Sequence, residues 1–408
     1  MSDTRALLNR IAQFRQRLDA LPRLVPSSEP GPKPPQPTPP PAPEKAEPES
    51  RTQAILESSL RQLAGTASAN PPALTNRARR TLFGAQGLVV RLKAMADDPV
   101  LCGTPGADGM ADPLAVHYRE TAALTEAAVR YALTFPEAAD EQTRLCEGLE
   151  GILDAARRRF DLLAAVLERR RTEAARIDAL AGILVALNED GEPLDPEPLH
   201  GLVDAILAEE LGRPLRFLAA DPAATRGYLG GPEFAAPARF VAAHGLNCAS
   251  VLARIVRNDP EWRGQERELV LAGLLHDAGM MRVPVGRLAF PGPLDEAGRG
   301  AIEAHATAGA ERILARLPGL SGIAEVAAAH HERADGAGYP RGLAGVQMSP
   351  TARLVAAVDV YAAMCAPRPY RPAIDPRAAL TDVLLLGERG RLDRYAAEKL
   401  LALGLYPA

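Results

Sequence analysis

The chain of 408 residues lacks any charge excess that would draw a nucleic-acid polymer: 47 Lys and Arg stand against 51 Asp and Glu, a net charge of −4. It has no apolar run near the roughly 18 residues that span a bilayer, so no integral membrane segment is expected. The opening MSDTRALLNR has no continuous apolar stretch of the secretory type, and a cytoplasmic setting is expected. Cysteine is scarce. Cys102, Cys146, Cys248 and Cys365 are scattered and form no CxxC, which fits free thiols in a reducing compartment and not a disulfide framework. Lysine is nearly missing, 4 residues against 43 arginines, which we read as coding bias. Residues 51–236 contain no nucleotide-binding glycine loop, no receiver-type carboxylate cluster and no internal repeat. Residues 237–408 show no alternating strand pattern of useful length.

What is present is a globular composition, 47% hydrophobic and 24% charged, whose length suggests two or three domains at roughly 100–200 residues each. The expected fold class is all-α. Four regions are expected. Residues 1–25 form an amphipathic helix, with Leu7, Leu8, Ile11, Phe14, Leu18 and Leu21 at three- and four-residue steps. One helix cannot bury its own face, so this one frays, docks elsewhere or pairs with a copy of itself. Residues 26–50 hold 11 prolines and form a polyproline-type linker, with a reach on the order of 75 Å. Residues 51–236 are helical, of unassigned role. Within them Leu145, Leu149, Ile152, Ala156, Phe160, Leu163 and Leu167 make a stripe that resumes at Ile177, Leu180, Leu184 and Leu187. Such a stripe supports either a homodimer through 141–187 or an intramolecular bundle. Asp195-Pro196 looks like a helix start. Residues 237–408 form the last region, with helices expected near 237–257, 265–278, 295–315, 321–331, 350–365, 376–386 and 391–403.

The chemistry sits in that last region. Five of seven histidines fall there: His244, His276, His305, His330 and His331. Asp277 follows His276, and Asp359 lies inside the apolar helix LVAAVDVYAAM. A charged Asp359 in such a helix needs a partner or a metal. Imidazole with carboxylate suits a first-row transition ion. Seven ligands are too many for one ion with an open position, and enough for two ions with Asp277 between them. His117 and His200 stand apart and are read as ordinary helix residues.

The order H…HD…H…HH…D resembles the HD-GYP family of metal-dependent phosphohydrolases. Its signature HHExxDGxGYP is complete at residues 330–340, with LLHDAG at 274–279, VP at 283–284, DVY at 359–361 and RPYR at 368–371. The resemblance covers about 237–400, and the combined motifs are highly specific. It implies an all-helical HD bundle and hydrolysis of cyclic di-GMP to pGpG or GMP. The metal ligands would be His244, His276, Asp277, His305, His330, His331 and Asp359, holding two divalent ions, Fe or Mn. Asp277 would be catalytic as the bridging carboxylate. Gly336, Gly338, Tyr339 and Pro340 would shape the substrate side, and Arg368 and Arg371 would reach the nucleotide. A bacterial source is implied by the family alone.

The sequence departs from the family in places. Met280 stands where HDxGK has a phosphate-facing Lys, and Phe240 where three-metal members have a Glu. DVYDAxTS becomes DVYAAMCA at 359–366, losing an Asp at Ala362. Arg282 is the nearest cation in sequence to Met280 and is expected to swing toward the phosphate as a catalytic substitute. These losses leave open a weak or inactive domain serving as a nucleotide-binding or protein scaffold, or a phosphohydrolase of another nucleotide.

Overall fold

The computed structural model describes residues 2–21, 74–102, 112–132, 138–209, 215–222, 235–368 and 371–405. The proline-rich segment 26–50 and the start of the helical region, 51–73, lie outside the described residues, as does most of the expected boundary loop 219–236. Among the described residues there are helices and two isolated bridges but no strand, in agreement with the expected all-α class. The chain divides into two compact units, Met1–Arg171 and Thr172–Ala408.

The first unit contains α1 (Ser2–Ala20), α2 (Asn76–Ala96), the short α3 (Pro99–Cys102) and α4 (Pro113–Ala132). It also takes the N-terminal part of α5 (Ala139–Asn188). Thr75 caps α2 by accepting from the Ala78 amide, as a residue with a short side-chain oxygen does at a helix start. α2 and α4 pack together, and α1 packs on α4. Ile11 and Leu18, the stripe of α1, are buried there, so the N-terminal helix is docked.

The stripe of α5 is also covered within the chain. Leu145, Leu149, Ile152, Leu163 and Leu167 are buried in the first unit, and Ile177, Leu180, Leu184 and Leu187 in the second. A homodimer through 141–187 therefore has to use outward residues such as Leu162, which is 61% exposed.

The second unit adds α6 (Glu197–Leu207), α7 (Ala238–Asn258), α8 (Glu266–Leu275), the short α9 (Val285–Leu288), α10 (Glu296–Arg316), α11 (Ser321–Ala329), α12 (Pro350–Cys365), α13 (Pro376–Glu388) and α14 (Arg394–Lys399). Local signals place these starts. The side chains of Asp295, Ser349, Asp375 and Asp393 each accept from amides of the first turn, and Pro350 and Pro376 occupy the first helical position. Its core runs from Ile177 to Leu403, so packing starts earlier than the expected region boundary at 236/237. α7 is buried on every side from Ala238 to Ala249, as a helix at the centre of a bundle must be.

One close approach sets the site. After α8 the chain turns through His276-Asp277 into a 3₁₀ segment, Ala278–Arg282, laid against α10. A Cβ at Gly279 would sit 2.0 Å from the His305 carbonyl, so only glycine lets the two backbones meet.

Candidate metal centre

The seven residues singled out from the sequence come from five places in the second unit and meet. His244 is on α7 and His276-Asp277 follow α8. His305 is on α10, His330-His331 follow α11, and Asp359 is on α12. Their donor atoms fall into two groups. One contains His244, His276 and Asp359 together with Cys248, and the other contains Asp277, His305, His330 and His331.

Asp277 faces both groups. Its Oδ1 lies 3.1 Å from His305 Nε2 and 3.4 Å from His330 Nε2. Its Oδ2 lies 3.7 Å from both His244 Nε2 and His276 Nε2. Asp359 Oδ1 is 2.8 Å from His244 Nε2, and its Oδ2 is 3.9 Å from His331 Nδ1.

The imidazoles are oriented by their own helices. Nδ1 of His276 donates to the Gly273 carbonyl at 3.0 Å, and Nδ1 of His330 to the Ala327 carbonyl at 2.8 Å. His305 makes the same bond to Ile302. Each bond fixes the tautomer, leaving a lone pair on Nε2 directed into the site. The Nε2 atoms of His305 and His330 stand 3.2 Å apart. Two lone pairs at that distance repel unless a cation lies between them. His276 Nε2 is fully buried and has no hydrogen-bond partner, an arrangement that costs stability unless something binds there. These features fit a metal.

The charges are tuned in the same sense. Burial opposes ionisation of Asp277, but the imidazoles of His276, His305 and His330 override it and hold the carboxyl well below its usual range. Asp359 behaves alike, with burial outweighed by His244. Burial drives His276 down to about 4, and burial with neighbouring His330 keeps His331 low. His305 goes the other way, with burial outweighed by its bond to Asp277, which raises it. The centre therefore offers ionised carboxylates together with His276 and His331 held neutral, forms that bind metal.

A cavity of about 730 Å³ opens over the cluster, touching His244, Asp277, His331 and Asp359. Tyr339 lines it, its ring 4.8 Å from that of His331, and burial keeps its phenol protonated. Gly336, Gly338 and Pro340 do not line the cavity; they shape the turn that presents Tyr339, with Gly336 at φ 75°.

The two arginines expected at the nucleotide differ. Arg368 lines the cavity with its guanidinium 4.8 Å over the Phe240 ring. Arg371 also lines it, but its guanidinium is engaged by the carbonyls of Ala363, Met364 and Pro372.

Arg282 is not where the sequence reading put it. It is exposed and outside the cavity lining, and its charge, after that of Arg312, helps hold the Asp190 carboxyl low. The reason is helical pitch. At about three residues per turn, positions two apart point in different directions, so Met280 lines the cavity and Arg282 does not.

Three residues escaped the sequence reading. Glu332 is buried and accepts from the amides of Arg341 and Leu343 at 2.8 Å each, bracing the turn that carries Tyr339. Its place beside His331 was the available signal. Cys248 Sγ lies 3.8 Å from His244 Nε2, and their four-residue spacing on one helix was the signal. Asn247 is buried and clamps both backbone groups of Leu218, which no sequence feature announced. His117 contacts Arg159 and Glu120 within the first unit.

Residues 238–395 match the family model described as HD domain. The chain is 45% identical over 109 residues to a 3'3'-cGAMP-specific phosphodiesterase 3 of Vibrio cholerae, covering 27% of this chain and 24% of that protein. It is also 45% identical over 105 residues to the cyclic di-GMP phosphodiesterase PA4108 of Pseudomonas aeruginosa, 26% of this chain and 25% of that protein. The chain thus matches about a quarter of the length of these relatives. A solved HDG"Y"P protein of Bdellovibrio bacteriovorus, Bd1817, aligns over 56% of this chain and 68% of its own, at 15% identity and a TM-score of 0.39. Among the described residues no helix is long and apolar enough to cross a membrane. All seven clustered histidines and aspartates fall within residues 238–395, the stretch similar to the HD domain family.

Proposed function

We propose that this chain is a metal-dependent phosphodiesterase acting on a cyclic dinucleotide, with cyclic di-GMP as substrate and pGpG or GMP as product. The observation that carries the reading is Asp277, whose two oxygens each face one of the two donor groups. That is the arrangement of a carboxylate shared by two ions. His244, His276 and Asp359 would hold one ion and His305, His330 and His331 the other; the imidazole-carboxylate donor set suits first-row transition ions in general, of which we propose Fe or Mn. When bound, such a pair supplies positive charge that acidifies a water and neutralises phosphate oxygens.

The chain's own residues orient the reaction. The Nδ1 bonds to Gly273, Ile302 and Ala327 hold the imidazoles before any ligand arrives, so little reorganisation is required. Arg368, fixed over Phe240, offers a guanidinium to a phosphate oxygen. Tyr339 keeps its proton and can donate a hydrogen bond into the cavity. Hydrolysis forms one bond from water oxygen to phosphorus and breaks one P–O bond, and the ribose oxygen leaves as an alcohol after taking a proton.

Met280 on the lining supplies no charge, and this favours a second reading: a domain that binds a nucleotide and turns it over weakly or not at all. We further propose that 237–408 is the functional region, that the chain is cytoplasmic, and that any homodimer forms through the outward side of 141–187.

The test is elemental analysis followed by a substrate panel. Close to two transition ions per chain, with hydrolysis of cyclic di-GMP or 3'3'-cGAMP, supports the enzyme. Full metal with binding but no hydrolysis supports the second reading. No bound metal after reconstitution removes both.

A further inference from the structure

The cavity lining carries two cations that no motif pointed to, Arg287 and Arg299. They come from α9 and the first turn of α10, apart from the segment that carries Arg368 and Arg371. Phe290, just after α9, lines the cavity beside them and is 47% exposed.

Arg287 is held in place. Its Nη1 donates to Asp295 Oδ1 at 3.0 Å, and the same oxygen accepts from the Gly298 amide at 2.7 Å. Gly298 leaves room for the pair, since a Cβ there would lie 2.7 Å from the Asp295 oxygen and 3.0 Å from Arg287 Nη1. Arg287 is therefore ordered before a ligand binds, which lowers the entropy cost of binding. Arg299 has no ion-pair partner among the described residues, so its charge is available to a ligand.

Among the described residues the acids on the lining are Asp277 and Asp359, both in the donor cluster. Arg287, Arg299, Arg368 and Arg371 line the cavity with them, Arg287 paired with Asp295 at its edge. Once metal offsets the two carboxylates, the lining suits a polyanion better than a monoanion.

The lining also repeats its chemistry. Phe240 with Arg368 makes one aromatic-guanidinium pair. Phe290, Arg287 and Arg299 put a ring and two guanidiniums on another part of the same lining, with no stacked pair among them. A guanidinium suits a phosphodiester and a ring suits a base. A ligand with one phosphate and one base fills one set and leaves the other idle. A ligand with two of each uses both.

We infer that Arg287, Arg299 and Phe290 form a second phosphate-and-base subsite, which takes the half of a cyclic dinucleotide that is not being cut. This rests on the substrate class proposed above. The subsite supplies from α9 and α10 the cation that Met280 does not.

The experiment uses the full chain loaded with metal. Affinity for a phosphorothioate analogue of cyclic di-GMP is measured by calorimetry. KM is measured for cyclic di-GMP and for bis-p-nitrophenyl phosphate, which has a single phosphate. Arg299→Ala and Arg287→Ala are each expected to weaken the analogue about tenfold and to raise KM for cyclic di-GMP similarly, with a smaller change in kcat. The penalty on bis-p-nitrophenyl phosphate should be at least fivefold smaller, and Arg299→Lys should recover part of the loss. Arg299→Ala alters an exposed side chain, so it tests the subsite even if Arg287→Ala disturbs the start of α10. Equal analogue affinity in wild type and Arg299→Ala overturns the subsite, as does an equal penalty on both substrates. A wild type that cleaves bis-p-nitrophenyl phosphate but does not bind the analogue overturns the substrate class itself, and the subsite with it.

Discussion

The two units use helices to opposite ends. In Met1–Arg171 the buried polar side chains are few, and each is tied to a partner: Asp98 to Arg171, Gln142 to the Thr75 amide and Thr81 to Glu150. Thr121 and Thr125 return their hydroxyls to carbonyls one turn back, at 2.7 Å each. Several charge pairs there, such as Arg77–Glu150 and Lys93–Glu126, lie at the surface and contribute little each. In Thr172–Ala408 the bundle buries His244, His276, Asp277, His305, His330 and Asp359 against one another. Burying charge and unpaired nitrogen costs stability. A helical unit that does so is built around chemistry, whereas the first unit is built around its leucines.

The largest expected effect breaks that contrast at its centre. Asp277→Ala removes the carboxylate that lies within 3.7 Å of imidazoles of both donor groups, closer across the pair than Asp359. Metal content measured by elemental analysis should fall from near two per chain to one or fewer. Hydrolysis should fall by a factor on the order of 10²–10³ or more, the scale for losing a main electrostatic element. Unchanged metal content and turnover would show that the cluster is only a buried polar network.

Much of this second unit was legible in the sequence, and the reason is local. Asp295, Ser349-Pro350, Asp375-Pro376 and Asp393 announce helix starts through short-range capping, which needs no tertiary information. The ligand set was legible because HD and HH pairs at helix ends bring a fixed chemistry with them. Arg282 misled because nearness in sequence is not nearness in space. The 3₁₀ segment turns it away, while Arg287 and Arg299, farther along, line the cavity. Arg371 matched its motif, yet helix-end carbonyls engage its guanidinium. The stripe of α5 was correctly read as apolar, but periodicity cannot say whether the same chain or a copy covers it.

A smaller effect sharpens the comparison from the first unit. Leu149 is fully buried in that unit's core. Leu149→Ala should cost about 2–5 kcal/mol, seen as a lower midpoint in urea. If the units differ as described, metal stoichiometry should stay at the wild-type value in the folded protein. The matching change Leu252→Ala, in α7 two turns beyond His244, should cost a similar amount and lower metal content as well. Loss of metal in Leu149→Ala would show that the first unit also supports the site.

Within the second unit, Glu332 separates loop shape from metal holding. Glu332→Ala leaves the part-buried amides of Arg341 and Leu343 without their acceptor, at a cost of about 1 kcal/mol for each lost bond. The turn carrying Tyr339 should loosen. KM for the nucleotide should rise while the metal bound by the cluster stays near its wild-type level. A parallel fall in metal content would place Glu332 in support of His331 instead.

The smallest expected effect concerns a charge cluster in the second unit that has no part in the chemistry. Lys399 on α14 pairs with Asp259 and, at 2.6 Å, with Glu261. The Lys399 ammonium holds the Asp259 carboxyl below its usual range. For Lys399 burial works against the charge, but its bonds to Asp259 and Glu261 prevail and raise it above its ordinary 10.5. The signs follow. A depressed carboxyl stabilises the fold above its unfolded pKa and loses that contribution as pH falls through the folded value. A raised ammonium stabilises below its unfolded pKa and loses it as pH rises through the folded value. The brace is therefore complete between the two, across neutral pH. Lys399→Met should lower stability by roughly 1 kcal/mol in urea titrations from pH 6 to 9. Below about pH 4, where carboxylates take up protons, the gap between variant and wild type should close. A gap that stays constant from pH 7 down to pH 3 would mean that the Lys399 stem, packed rather than charged, accounts for the difference.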